Sequence, residues 1–283
     1  MARAVELKIG WHNGYRPRPL TDKTVALIFQ KASTRTRVSF EVGIRQLGGD
    51  SLFMTNRDSQ LGRSEPLRDM ARVLSRYVDI MVVRTFDQEV LSELAAYASI
   101  PVINALSDSS HPCQVLSDLL TVCEQRGCLE GLAYAWIGDG NNMAHSWLEA
   151  AGHLKLDLRL ACPAGFDPDP AVVEVARARG GRILLTSDPR EAVAGSDVIN
   201  TDVWASMGQE DEASARRGAF AGFTVDEGLL ALAGPKAMVL HCLPAHRGEE
   251  ISDEVMEGPQ SVIWDQAENR LHMQKAIMEA LIS

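Results

Sequence analysis

The chain has 283 residues, enough for two domains of ordinary size, and its 46% hydrophobic and 23% charged residues are those of a globular protein in water. A formal charge of -10 argues against non-specific nucleic-acid binding, and no apolar run approaches the roughly 20 residues of a membrane span. Five cysteines without CxxC or Cys/His ligand spacing predict neither a disulfide framework nor a zinc site.

Residues 1–11 lack the apolar core of a signal peptide, so cytoplasmic residence is the expectation. Ala4 to Ile9 begins a helix that Pro17 and Pro19 are expected to end. Val25 to Phe29 then has strand character, and Ser33-Thr34-Arg35-Thr36-Arg37 opens a helix with Ser33 at the N-cap. A strand, a short loop and a helix N-terminus make an anion site, because the first-turn N–H groups and the dipole both favour negative charge. Arg35 and Arg37 point to nearly opposite sides, so Arg35 is assigned to the anion and Arg37 to a pair with Glu41 one turn on. The spacing alone fits an ordinary capped helix with a solvated basic end equally well.

Strand-like runs recur at Ser51 to Met54, Ile80 to Val83 and Val102 to Leu106, with helical patterns at Leu67 to Tyr77 and Glu89 to Ala98 between them. This alternation predicts an α/β chain with a parallel sheet covered on both faces and ligands at the carboxyl ends of the strands. Arg84 and His111-Pro112-Cys113-Gln114 fall at two such ends, with Pro112 suited to the first position of a helix. Taken singly, such an Arg is more often a surface charge and such a His more often packing. Gln60 sits in a stretch that reads as an exposed polar loop.

A second α/β pattern starts around Cys123 to Gly131. Ala133 to Ile137 leads into Gly138-Asp139-Gly140-Asn141-Asn142, whose GxGNN is not the GxGxxG of dinucleotide folds. Further strands are expected at Leu156 to Ala161, Arg182 to Leu185 and Asp197 to Thr201. After them, Asp202-Val203-Trp204-Ala205-Ser206-Met207-Gly208 opens a polar loop in which Trp204 tucks inward. Met238 to His241 is a buried strand running into Cys242-Leu243-Pro244, and a final helix begins within Asp265 to Arg270. Cys113, Cys123, Cys128 and Cys162 are expected as buried small hydrophobes.

The string at 33–41, with His-Pro-Cys-Gln at 111–114, resembles the aspartate/ornithine carbamoyltransferase superfamily, and DxxxSMG at 202–208 with HCLP at 241–244 resembles its ornithine-type members. Gln30 and Ala32 stand where many relatives carry Glu and Pro, and the family's longer amino-terminal helical segment implies a shortened start here. The resemblance implies two domains, each a parallel sheet covered by helices. A carbamoyl-phosphate domain would span 1–127 plus a C-terminal helix, 267–283, that packs back on it, and an ornithine domain 128–266. It implies carbamoyl transfer from carbamoyl phosphate to ornithine, within arginine biosynthesis, with no metal or organic cofactor and a homotrimer or multiple of trimers. Aspartate, acetylornithine and putrescine are alternative acceptors, and a non-catalytic binding relative is the alternative of another class.

Residue by residue, the resemblance puts Ser33, Thr34, Arg35 and Thr36 on the phosphate and Arg84, His111 and Gln114 on the carbamoyl group. Cys242, Leu243 and Arg270 approach the same ligand, and Gln60 reaches it from a neighbouring subunit. Ornithine falls to Asn142, chosen over Asn141, and to Asp202, Ser206, Met207 and Cys242. Arg84, His111, Thr36 and Cys242 are the expected catalytic residues. Leu243-Pro244 is expected to be a cis peptide.

Overall fold

A computed structural model describes residues 1–55, 65–205 and 213–282. The chain forms two compact units, residues 1–120 with 268–283 and residues 121–267.

In the first unit the elements are α1 (Ala2–His12), β1 (Thr24–Phe29), α2 (Thr34–Gln46), β2 (Asp50–Thr55), α3 (Leu67–Leu74), β3 (Ile80–Arg84), α4 (Gln88–Tyr97), β4 (Val102–Leu106) and α5 (Pro112–Arg126), which runs past the division. The four strands form a parallel sheet in the order β2-β1-β3-β4. Side chains alternate across a strand, so one strand feeds two cores. Val25, Leu27 and Phe29 of β1 pack with Phe40 and Ile44 of α2 and Leu120 of α5, whereas Ala26 and Ile28 pack with Met70 and Leu74 of α3 and Leu91 and Leu94 of α4. The first of these cores also takes Met273, Ala276 and Met278 from the last helix, in keeping with the expectation that this helix returns to the first domain.

Helix α1 ends at His12, well before Pro17, so the prolines do not terminate it. The stop lies at Asn13-Gly14, where Gly14 takes φ +82, a conformation that costs glycine little.

The second unit contains β5 (Ala133–Ile137), α6 (Asn142–Leu154), β6 (Asp157–Ala161), α7 (Pro170–Ala178), β7 (Arg182–Thr186), α8 (Pro189–Val193), β8 (Val198–Thr201), α9 (Ala213–Ala219), α10 (Glu227–Leu230), β9 (Met238–His241), α11 (Asp253–Met256) and the start of α12 (Ile263–Ile282). Its parallel sheet runs β7-β6-β5-β8-β9. Ala135 and Ile137 face a core with Val193, Ile199, Phe220, Val239 and Ile251, while Tyr134 turns to the other face against Trp147 of α6, ring centroids 5.5 Å apart.

In each sheet consecutive connections leave in opposite directions at one place, between β1 and β3 and between β5 and β8. Such switch points leave a crevice at the carboxyl ends of the strands. The strand ends and loops that flank them carry the residues singled out above: Ser33 and Arg84 in the first sheet, Asn141 and Asp202 in the second. At Gly140 the backbone runs against the 166–168 segment, its N–H 2.8 Å from the Phe166 carbonyl. A Cβ there would lie 2.2 Å from the Pro168 nitrogen, so only glycine fits.

Candidate active site

In the first unit Ser33 caps α2, its Oγ accepting from the Thr36 N–H at 3.2 Å. Arg37 turns away and pairs with Glu41 at 2.9 Å, as expected, which leaves half-exposed Arg35 on the other side of the helix. Parallel pairing sets Arg84, the last residue of β3, beside Phe29, the last of β1, and the Gln30 N–H donates to the Arg84 carbonyl at 2.8 Å. A register shift follows on the other side, where Val83 opposes Asn104 but Arg84 opposes Leu106, and this re-aims the strand end.

His111 immediately precedes α5, with Pro112 in the first helical position as expected, and its carbonyl accepts from the Gln114 N–H at 3.1 Å. The preceding loop is organised by Ser107 Oγ, which accepts from the Ser109 and Ser110 N–H groups at 3.3 and 3.1 Å. Lys31 pairs with Asp108 on that loop and lies over the Phe86 ring, 4.3 Å from its centroid. Thr85 donates to Gln30. The loop after β1 is thereby tied to the loops after β3 and β4. None of Lys31, Thr85 and Asp108 was singled out from the sequence.

Arg270 of α12 completes this group. Its guanidinium donates from Nη1 to Gln114 Oε1 at 2.8 Å and from Nη2 to Thr36 Oγ1 at 2.6 Å, and Gln114 Nε2 donates to Asp118 Oδ1 at 2.8 Å. Thr36, Arg84, His111, Gln114, Asp118 and Arg270 are all buried. Burial, with Arg270 and then Arg84 adding positive potential, holds the His111 imidazole well below its ordinary pKa, so it stays neutral at physiological pH. A neutral imidazole offers one N–H donor and one acceptor nitrogen, and two guanidinium groups supply charge. That combination suits an anionic ligand with a polarisable carbonyl.

In the second unit Asn141 caps α6: its Oδ1 accepts from the Met143 and Ala144 N–H groups at 2.9 and 3.3 Å, and its Nδ2 donates to Asp202 Oδ2 at 3.2 Å. Asn141 is thus committed to the fold, and Asn142 is the first helical residue, half-buried. The other carboxylate oxygen, Asp202 Oδ1, accepts from the Val203 N–H at 2.8 Å and from Cys242 Sγ at 3.0 Å. Leu243, after Cys242, takes φ +61, and Leu243-Pro244 is cis, as expected.

The ligand atoms of Asp202, His241 and Cys242 lie within 4.8 Å of one another. Both His241 nitrogens are already engaged, Nδ1 accepting from the Leu243 N–H at 2.9 Å and Nε2 lying 2.9 Å from Glu250 Oε1. Trp204 is tucked inward as expected, stacked with Phe220 at 5.6 Å between centroids. Arg216, missed from the sequence, donates to Asp139 Oδ2 and to the Trp204 carbonyl, both at 2.8 Å. Burial raises the Asp139 carboxyl above its ordinary pKa even though Arg216 opposes it.

Gln60, Ser206 and Met207 lie outside the described residues. Two cysteines correct the expectation of burial. Cys128 is exposed, because the chain leaves α5 at Gly127 for a surface turn, and Cys123 is half-buried in the last turn of α5. Cys113 and Cys162 are buried, and burial pushes the Cys113 thiol up to about 12.

The neutral histidines also set the response to acid. His272 of α12 is held at about 4, by burial first and then by Lys275. In the unfolded chain both His111 and His272 would protonate near pH 6.5. Folded pKa values below the unfolded one give stability that is complete above pH 6.5 and is lost as pH falls toward the folded value. The unfolding free energy is expected to drop from pH 6.5 downward, by up to about 1.4 kcal/mol per pH unit for each histidine. Urea titrations at several pH values check this, and His272→Gln should flatten the slope.

The sequence profile described as aspartate/ornithine carbamoyltransferase, carbamoyl-P binding domain, matches residues 1–124, and that of the Asp/Orn binding domain matches residues 130–281. The ornithine carbamoyltransferase of Pelobacter propionicus is 58% identical over 283 residues, 100% of this chain and 93% of that protein. That of Geobacter sulfurreducens is 57% identical over 278 residues, 98% of this chain and 92% of that protein. Among solved structures, the ornithine carbamoyltransferase from Pyrococcus furiosus has a TM-score of 0.95 at 50% identity, covering 99% of this chain and 91% of that one. With buried arginines and a neutral histidine at the first switch point, and matches spanning both units, the chain belongs to the aspartate/ornithine carbamoyltransferase family.

Proposed function

We propose that this enzyme transfers the carbamoyl group of carbamoyl phosphate to ornithine, giving citrulline and phosphate. The observation that carries the reading is the buried group Thr36, Arg84, His111, Gln114 and Arg270 at the first switch point, which fits a carbamoyl group attached to a phosphate. Ser33, Thr34, Arg35 and the first turn of α2 take the phosphate. The ornithine δ-amine attacks the carbamoyl carbon, negative charge grows on the carbonyl oxygen, the C–O bond to phosphate breaks and the amine gives up a proton. Arg84, His111 and Thr36 stabilise the oxygen, while Gln114 accepts from the carbamoyl amine. Asn142, Asp202, Cys242 and the 206–207 positions hold ornithine. The 58% identity with a relative named for ornithine supports this acceptor over aspartate, acetylornithine or putrescine.

A cytoplasmic setting, a place in arginine biosynthesis and a homotrimer in which Gln60 completes a neighbour's site accord with the same reading. No helix among the described residues is long and apolar enough to cross a membrane. Citrulline formation by purified protein, with the four acceptors compared and mass measured in solution, tests the proposal. Citrulline absent, or another acceptor preferred, overturns it.

An alkyl amine near pKa 10.4 is almost wholly protonated at neutral pH, so the site must favour the free amine. Asp202, oriented by Asn141, Val203 and Cys242, can accept a hydrogen bond from the substrate's amine and orient it. The kcat/KM for ornithine is expected to rise with pH through the neutral range. Cys242→Ala, which removes one hydrogen bond to Asp202, is expected to raise the ornithine KM about tenfold and leave carbamoyl-phosphate binding nearly unchanged. Ornithine saturation curves at several pH values check both statements.

A further inference from the structure

Gln114 is held at both ends of its amide by groups of fixed polarity. A guanidinium can only donate and a carboxylate can only accept, so the contacts to Arg270 and Asp118 settle which end is oxygen and which is nitrogen. Asp118 lies one turn further along α5 than Gln114 and is fully buried. In a helix that offset is about 6 Å further from the N-terminal end, which His111 precedes. The amide nitrogen is therefore drawn toward the body of the helix, and the oxygen is presented beside Thr36 and Arg270. Arg270 occupies one lone pair of that oxygen, and the second is the acceptor that the proposed reaction gives to the carbamoyl amine.

We infer that Asp118 is a positioning residue that sets the donor specificity of this site: by fixing the Gln114 amide with its oxygen toward the ligand, it selects a carbamoyl group over an acyl group of the same shape. The inference rests on the proposed role of Gln114. An acyl phosphate carries a methyl group where carbamoyl phosphate has its amine, and it would leave the Gln114 oxygen facing a carbon. A buried polar group without its partner discriminates strongly, because it has lost water and gained nothing. Without Asp118, the amide is held at its oxygen end only and the nitrogen has no partner on α5, so the acceptor is no longer held in one place.

Dissociation constants for carbamoyl phosphate and acetyl phosphate, measured on the full chain and two variants, test the inference. The wild type is expected to prefer carbamoyl phosphate. Asp118→Leu should weaken carbamoyl phosphate about tenfold and acetyl phosphate less than about twofold, so the preference contracts; tenfold corresponds to one hydrogen bond to a buried partner. Asp118→Asn retains an acceptor oxygen and should keep the wild-type preference within about threefold. Equal weakening of both ligands, or an unchanged ratio in Asp118→Leu, overturns the inference and returns Asp118 to a purely structural role. If the leucine variant does not fold, Asp118→Ser is read by the same ratio. Citrulline formation is assayed separately: a wild type that binds carbamoyl phosphate but makes no citrulline overturns the proposed reaction while the ratio still decides the role of Asp118, and a wild type that binds neither phosphate overturns both.

Discussion

Arg84→Met is expected to lower kcat/KM for carbamoyl phosphate about a thousandfold, at the upper end of what loss of one preorganised donor to a developing oxyanion costs. The size follows from where the guanidinium sits. Arg84 is the buried last residue of β3, aligned with Phe29 at the end of β1, so its charge acts where water screens it little. The thioether of methionine has similar length and no donor, so the loss is chemical and not a cavity. Folding stability is expected to fall as well, because the buried guanidinium is not without partners and methionine cannot replace them. His111 provides an independent reading: Arg84 is one of the charges holding it neutral, so the imidazole should titrate at higher pH in the variant. Steady-state kinetics with thermal melts, and histidine resonances followed by NMR against pH, check the three statements. Activity within tenfold of the wild type would remove Arg84 from the oxyanion-stabilising role.

Arg270→Met should damage both fold and function. Its guanidinium bonds to Thr36 Oγ1 and to Gln114 Oε1, and both partners are buried, so methionine leaves two acceptors without that donor. At about 1–3 kcal/mol for each unsatisfied group, a loss of about 2–6 kcal/mol in unfolding free energy is expected. Activity should fall about a hundredfold, because the two groups that would meet the carbamoyl moiety lose their common anchor. Arg270→Lys keeps the charge but not the two-pronged geometry, and is expected to recover stability more than activity. Denaturant titration and kcat/KM on the same preparations separate the two effects. A methionine variant of wild-type stability would show that the bonds to Thr36 and Gln114 contribute little.

Much of the local structure could be read from the sequence. Alternating apolar strands and helical runs led to two parallel sheets covered by helices, Ser33 was recognisable as a cap, and Arg37 and Glu41 found each other one turn apart. These are short-range matters: they depend on the period of side chains along a strand or helix and on partners a few residues away. Strand ends were less certain. The final helix begins at Ile263, earlier than the Asp265 to Arg270 start expected, since the buried Ile263 joins the second core. Gln114 and Asp118 stand four residues apart on one helix and could have been paired from spacing, yet that spacing does not say that the pair is buried.

Amino-acid order by itself determined the strands of both sheets, the cap of α2 and the motifs that mark the family. The tertiary structure decided which of those elements became neighbours. Arg270 reaches Thr36 across 234 positions, Asn141 reaches Asp202 across 61, and Lys31 meets Asp108 across 77. Those pairs follow from strand order, in which β3 lies beside β1 and β8 beside β5, and from the return of α12 to the first core. Strand order is a property of how crossovers pack over a whole sheet, and no local run of residues encodes it. The same packing removes water from Arg84, His111 and Arg270, and that desolvation turns a basic motif into a neutral imidazole between two unscreened charges.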